Sequence, residues 1–192
     1  MKNRMKAAVF RQSKGLVLED VPKPVIKNDQ ILVKVADVGF CGSDHSMIKS
    51  GNLPDGYIVG HEVSGTVSAV GCDVRGVAEG LRVIIRPTFC GDCLDCKSGR
   101  PYFCQNDRRS IGIGDLPGAF AEYIVVYPRM IIPIPDGVDS RNAALVETFA
   151  ASLHAISCAG RESGSAHVIG GGPIGLATVM LLKINGFSPV SL

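Results

Sequence analysis

Four of the seven cysteines stand in one short stretch. Cys90, Cys93, Cys96 and Cys104 form C-x2-C-x2-C-x7-C, with Gly91, Asp92, Asp95, Gly99 and Pro101 between them. Tetrahedral Zn(II) takes four thiolates at about 2.3 Å, and turn-rich chain lets one loop supply them all. Such a shell leaves no open coordination position, so its role is structural. Zinc held this way supplies roughly 10 to 16 kcal/mol of apparent binding energy, as much as the net stability of a whole domain. The alternative is an iron-sulfur cluster, but the bacterial ferredoxin run ends C-x3-C-P. Here the last gap is seven and Gln105 follows.

A second set of reactive types is dispersed. Cys41-Gly42-Ser43-Asp44-His45 and Gly60-His61-Glu62 stand at the ends of β-type runs, and Glu147 stands where β-rich chain gives way to helix. Singly, each has an ordinary reading: a buried cysteine, a solvated turn, a favourable charge near a helix N-terminus. Together they supply one sulfur, one imidazole and carboxylates, the mixed donors that hold a catalytic zinc with an exchangeable fourth position. A third set is Gly170-Gly171-Gly172-Pro173-Ile174-Gly175, a G-x-G-x-x-G between a strand and a helix. That context is what a dinucleotide pyrophosphate at a helix N-terminus requires.

The elements that must position these residues change character along the chain. Short β-type runs at Lys6 to Phe10, Gln30 to Val38, Val63 to Val70, Arg82 to Arg86, Ala119 to Val126 and Met130 to Ile134 predict a mainly β region, a sandwich or barrel. After Asp136-Gly137, Ser140 is a candidate N-cap for an alanine-rich helix over Asn142 to Cys158. Ala166 to Ile169 then reads as a strand, Leu176 to Asn185 as a helix closed by Gly186, and Pro189 to Leu192 as the start of another strand. Ser165 and His167 fit a central parallel strand poorly, and His167 reads as a solvent-facing side chain rather than a ligand. Cys72 and Cys158 read as non-ligand thiols, and His154 as packing.

Composition bounds the rest. The 192 residues are 46% hydrophobic and 20% charged, an ordinary globular mixture. The net charge is 20 − 18 = +2, with no basic cluster beyond Arg108-Arg109, so nucleic acid has no electrostatic support as a partner. The apolar stretch Ala7 to Phe10 is too short for a leader, and Val168 to Ile184 is broken by glycines and Pro173, so neither export nor membrane insertion is expected. A cytoplasmic, reducing setting follows, in which cysteines serve as ligands rather than disulfides. Glycine is high, at 23 residues, which suits many tight turns.

Taken in order, these motifs resemble the zinc-dependent medium-chain alcohol and polyol dehydrogenases, near the sorbitol and threonine dehydrogenase branch. The likeness runs from about Met5 to Leu192. Gly60-His61-Glu62 with Gly65, Gly71 and Val74 resembles the zinc signature, Cys90 to Cys104 the structural zinc loop, and Cys41-Gly42-Ser43-Asp44 and Ala144-Leu145-Val146-Glu147 two further stretches. The resemblance implies a mainly β GroES-like barrel domain with a structural zinc lobe over 1–148, followed over 149–192 by a linker helix and an incomplete α/β Rossmann segment. It implies Cys41, His61 and Glu147 as catalytic zinc ligands, Glu62 as an alternating ligand or outer carboxylate, and zinc with NAD or NADP as cofactors. Ser43 resembles the first hydroxyl of a proton relay; the relay histidine common five residues after the cysteine is Ser46 here, with His45 one place earlier. Gly170, Gly172, Pro173, Ile174 and Gly175 would cradle the coenzyme. Hydride leaves carbon readily only from an alkoxide, and zinc lowers the pKa of bound water from 15.7 to about 7; an equal effect on an alcohol is worth about 11 kcal/mol. The implied activity is hydride transfer between a secondary alcohol or polyol and NAD(P), with a homo-oligomer left open. The alternative is a zinc-binding β domain that turns nothing over, because the implied relatives are about twice as long.

Overall fold

Strands β1 (Arg4–Arg11) and β2 (Gly15–Pro22) form an antiparallel hairpin from Arg4↔Pro22 to Arg11↔Gly15. Met5, Ala7 and Val9 are buried in alternation along β1, the period of a half-buried strand. β2 is absent from the expected strands. Glu19 and Asp20 interrupt its apolar run, and all of its residues are half-buried or exposed.

The main sheet has the order β6-β3-β4-β5-β7 and is antiparallel throughout. Its strands are β3 (Ile31–Gly39), β4 (Glu62–Val70), β5 (Arg82–Ile85), β6 (Tyr123–Val126) and β7 (Ile131–Pro133). Ile31, Val33, Val63, Val67, Val83, Ile124, Val126 and Met130 share one core cluster. β3 and β4 pair from Ile31↔Val70 to Gly39↔Glu62, with a register shift between Val35 and Asp37. A bulge of this kind re-aims the residues beyond it, here the strand ends that lead to Cys41 and His61.

Two expected strands are shorter than their sequences suggested, for local reasons. The N–H groups of Ala119 and Phe120 bond Gly60 O and Val59 O at 2.8 and 3.0 Å, and Ala121 bridges Ala7, so that stretch stitches the hairpin to the sheet instead of extending β6. Pro128–Met130 forms a 3-10 turn, which leaves β7 to begin at Ile131.

Three helices belong to this region: α1 (Gly42–Ser50), α2 (Leu94–Lys97) and α3 (Ser140–Ala144). The single helix expected over Asn142 to Cys158 is two. Asp139 Oδ1 accepts the Asn142 N–H at 2.7 Å, so Asp139 rather than Ser140 is the N-cap of α3. Leu145 then separates α3 from α4 (Val146–Cys158).

The computed structural model describes residues 3–192. Two compact units part between Ala144 and Leu145. The second contains α4, β8 (Ala166–His167), α5 (Pro173–Ile184) and β9 (Val190–Ser191), with β8 and β9 parallel. Pro173 stands in the first turn of α5, and Gly186 follows its C-cap at φ +82°, the glycine stop expected there. Among the described residues no helix is long and apolar enough to cross a membrane.

Candidate metal centres

The four-cysteine stretch closes on itself as its spacing suggests. Cys93 caps α2, whose Lys97 N–H bonds Cys93 O at 3.0 Å, and a 3-10 turn at Pro101–Phe103 returns the chain to Cys104. All four sulfurs lie within 4.8 Å of one another, with Cys90 to Cys104 at 3.5 Å and Cys90 to Cys96 at 3.8 Å. A tetrahedron with bonds of about 2.3 Å has edges of about 3.8 Å, so the donors fit Zn(II). The Asp92 and Cys93 N–H groups donate to Cys90 Sγ at 3.4 and 3.3 Å. Burial, followed by the neighbouring sulfurs, pushes Cys96 up to about 12, while backbone N–H groups of Cys90, Asp107 and Asn106 draw Cys104 down to about 6. A divalent cation relieves that crowding. Leu94, Tyr102 and Phe103 are exposed, so the lobe has little apolar core to organise it otherwise.

The second set meets where β3 ends and β4 begins. Cys41 is the N-cap of α1, and Asp44, at the third helical position, accepts the Cys41 N–H at 3.0 Å as one half of a capping box. Asp44 is fully buried. Its other oxygen accepts the Gly60 N–H at 3.1 Å and lies 3.4 Å from His61 Nδ1. That approach lacks hydrogen-bond geometry, so Nδ1 has no bonding partner. His61 Nε2 is 3.3 Å from Ser43 Oγ. Burial by itself would lower the His61 pKa; the close approach of Asp44, then of Cys41, outweighs it and holds it up at about 9. A pocket that keeps a proton on a buried imidazole is electrostatically prepared for a cation.

Glu62 is buried and packs over Gly39, where any side chain would strike its carboxylate. Gly60, at φ +99°, holds its Cα under Phe120, whose ring would stand 2.8 Å from an added Cβ. Cys41 lies close enough to His61 to raise its pKa, and the two meet as a pair. Among the described residues, the four-cysteine lobe is the one group of three or more metal-type side chains within reach of a single ion. Glu147 lies in the first turn of α4, in the second unit. Asp44 carries the arrangement, although the sequence reading assigned it no role. The available signal was an acid three residues after Cys41, with Gly51 closing the helix at φ +69°.

His45 is exposed on α1, and the Ser46 hydroxyl bonds Gly42 O at 3.0 Å. In the glycine turn, Gly172 is the N-cap of α5, Gly170 takes φ +109°, and a side chain at Gly175 would collide with Gly170 O. Ile174 is half exposed, and its carbonyl accepts the Ser152 hydroxyl at 3.2 Å. His167 is exposed and bonds Ser191 across β8 and β9 at 2.7 Å. His154 is exposed, not packed, with Nε2 3.6 Å from Cys158 Sγ.

Known proteins share this plan. The chain is 35% identical over 189 residues to sorbitol dehydrogenase of Bacillus subtilis strain 168, covering 95% of this chain and 53% of that one. It is 31% identical over 194 residues to L-threonine 3-dehydrogenase of Rhizobium etli strain CIAT 652, covering 97% and 55%. A crystal structure from Sinorhizobium meliloti 1021, assigned to the zinc-binding dehydrogenases and bound to NADP, superposes with a TM-score of 0.85 at 32% identity, covering 98% and 56%. The chain spans about half the length of the curated relatives it matches. Residues 27–136, more than half of the chain, match the alcohol dehydrogenase GroES-like domain, and the chain belongs to that family of the zinc-type medium-chain dehydrogenases.

Proposed function

We propose that this chain supplies the metal-holding part of an NAD(P)-dependent zinc oxidoreductase that moves hydride between a secondary alcohol or polyol and the coenzyme. The GroES-like domain occupies 1–148, and 149–192 begins a nucleotide-binding domain. The observation that carries the reading is the Cys41–His61 pair fixed by buried Asp44. Cys41 and His61 would hold a catalytic zinc, with Glu62 as a nearby carboxylate, and Cys90, Cys93, Cys96 and Cys104 a structural one. When bound, the catalytic zinc supplies Lewis-acid polarisation of the substrate hydroxyl.

The chain's own groups do the rest. Asp44 lies against the His61 ring and keeps the Cys41 backbone in place. Ser43 Oγ, beside His61 Nε2, would accept the hydroxyl proton and pass it outward, and His45, exposed on α1, would deliver it to water. The free N–H groups at the start of α5, with Gly170, Gly172 and Gly175 leaving the backbone bare, receive a pyrophosphate. Seven unpaired thiols suit a reducing cytoplasm.

Native mass spectrometry of the purified chain tests the metal part, and NADH fluorescence tests the coenzyme part. Two zinc ions per chain are expected, with Cys41→Ser keeping the lobe ion and Cys104→Ser losing it. Loss of both ions from Cys41→Ser would sink the two-site reading; NADH fluorescence unchanged by the chain would sink the coenzyme part.

A further inference from the structure

Four thiolates around one Zn(II) sum to a charge of −2. Within the lobe, Asp92 and Asp95 are matched by Lys97 and Arg100, and Asp95 and Arg100 pair at 3.5 Å, so nothing inside the lobe offsets that charge. Beside Cys96 lies a recess of about 230 Å³ whose wall includes Arg86 and Arg129 and contains no carboxylate. The sheet register sets the two arginines together, because the Arg86 N–H bonds Met130 O at 2.8 Å, directly after β5 and directly before β7. Arg86 makes no ion pair with any other described residue. Arg129 reaches Asp107 at 3.1 Å, but Asp107 is also held by Arg109 at 2.8 Å. Two like charges at the ends of neighbouring strands, facing one recess, repel each other unless an anion lies there.

We propose that Arg86 and Arg129 are the countercharges of the tetrathiolate centre, retaining its cation by offsetting the −2 from outside the ligand shell. This rests on the reading of the four cysteines as a zinc site. A recess of that volume is about 8 Å across, and at an effective dielectric constant near 20 one charge pair at that range shifts an equilibrium by up to roughly 30-fold. Exposure of both arginines reduces this to about fivefold each.

The test is zinc loss from the whole chain to excess pyridylazoresorcinol, followed by absorbance, with the lobe phase identified as the one that Cys104→Ser removes. At low salt Arg86→Gln and Arg129→Gln should each speed that phase about fivefold, and the double variant should multiply the two effects. At 1 M NaCl, where the screening length is about 3 Å, all rates should converge to within about twofold. Arg86→Lys should keep the wild-type rate. Equal rates at low salt, or a speed-up that persists at 1 M, would overturn the countercharge role. A wild-type chain with no phase that Cys104→Ser removes would overturn the zinc reading itself, and the two failures are separate observations.

Discussion

Replacing Asp44 with asparagine tests the central argument most directly. The carboxylate accepts from the Cys41 and Gly60 N–H groups at 3.0 and 3.1 Å and faces His61 Nδ1 at 3.4 Å, all without water contact. Asparagine keeps one acceptor and turns an NH2 toward a former donor, so a buried N–H is left unpaired at about 1 to 3 kcal/mol. The charge is also lost. In the zinc-free chain His61 is raised from 6.5 to about 9, so this pair contributes stability that is complete below pH 6.5 and disappears as pH rises through 9. The difference is worth on the order of 3 kcal/mol. Asp44→Asn should therefore cost about 3 to 5 kcal/mol in urea unfolding at pH 6, and less at pH 9.5. In NMR titration the His61 pKa should fall well below 9, because only Cys41 is then left to oppose burial. Where residues act behind a ligand, metal affinity typically falls about 10- to 100-fold, and chelator competition should find that loss at the Cys41 site with the lobe zinc unchanged. A cost under about 0.5 kcal/mol with His61 still near 9 would refute the reasoning.

Gly60→Ala places a methyl 2.8 Å from the Phe120 ring at φ +99°, and should lower stability by about 2 kcal/mol or more in thermal unfolding. Gly175→Ala collides with Gly170 O and should weaken NADH binding, read by fluorescence, with zinc content unchanged. Arg11 holds the Glu19 carboxyl below its ordinary value, and the Gln12 N–H, then Arg11, does the same for Asp55, so the network stabilises above that ordinary range and is lost as pH falls through the lowered values. Arg11→Gln should flatten the acid limb of the stability profile, measured by unfolding between pH 2 and 6. Chelation should open the lobe, so that trypsin cuts after exposed Lys97 only once zinc has been removed.

How far the sequence reading reached depends on where the information lay. The four cysteines needed only short spacing, and the glycine turn needed only its flanking strand and helix. β3 and β4 were legible because Ile31, Val33, Val63 and Val67 mark a buried face. β2 was not, since an edge strand bearing Glu19 and Asp20 shows no clear period. α1 was hidden as well, because Gly42, Ser43 and Asp44 read locally as turn residues, and the cap at Asp44 becomes evident only when Gly60 and His61 are known to lie against it. The break at Leu145 has no proline or glycine to announce it. Burial of a charge against backbone from a different strand is a tertiary fact, which one-dimensional spacing does not carry.

The last rung of the β3–β4 ladder pairs Gly39 with Glu62; Cys41 lies two residues beyond it on one strand and His61 one residue before it on the other. The pair is thus the clasp of a single strand pair, assembled by the same register that buries Val33 opposite Val67. A slip of one position would turn the core faces outward as well as part the two donors. Metal-binding competence and correct strand pairing are therefore inherited together. A cation bound there would act as a register lock, favouring the one alignment that also fills the core.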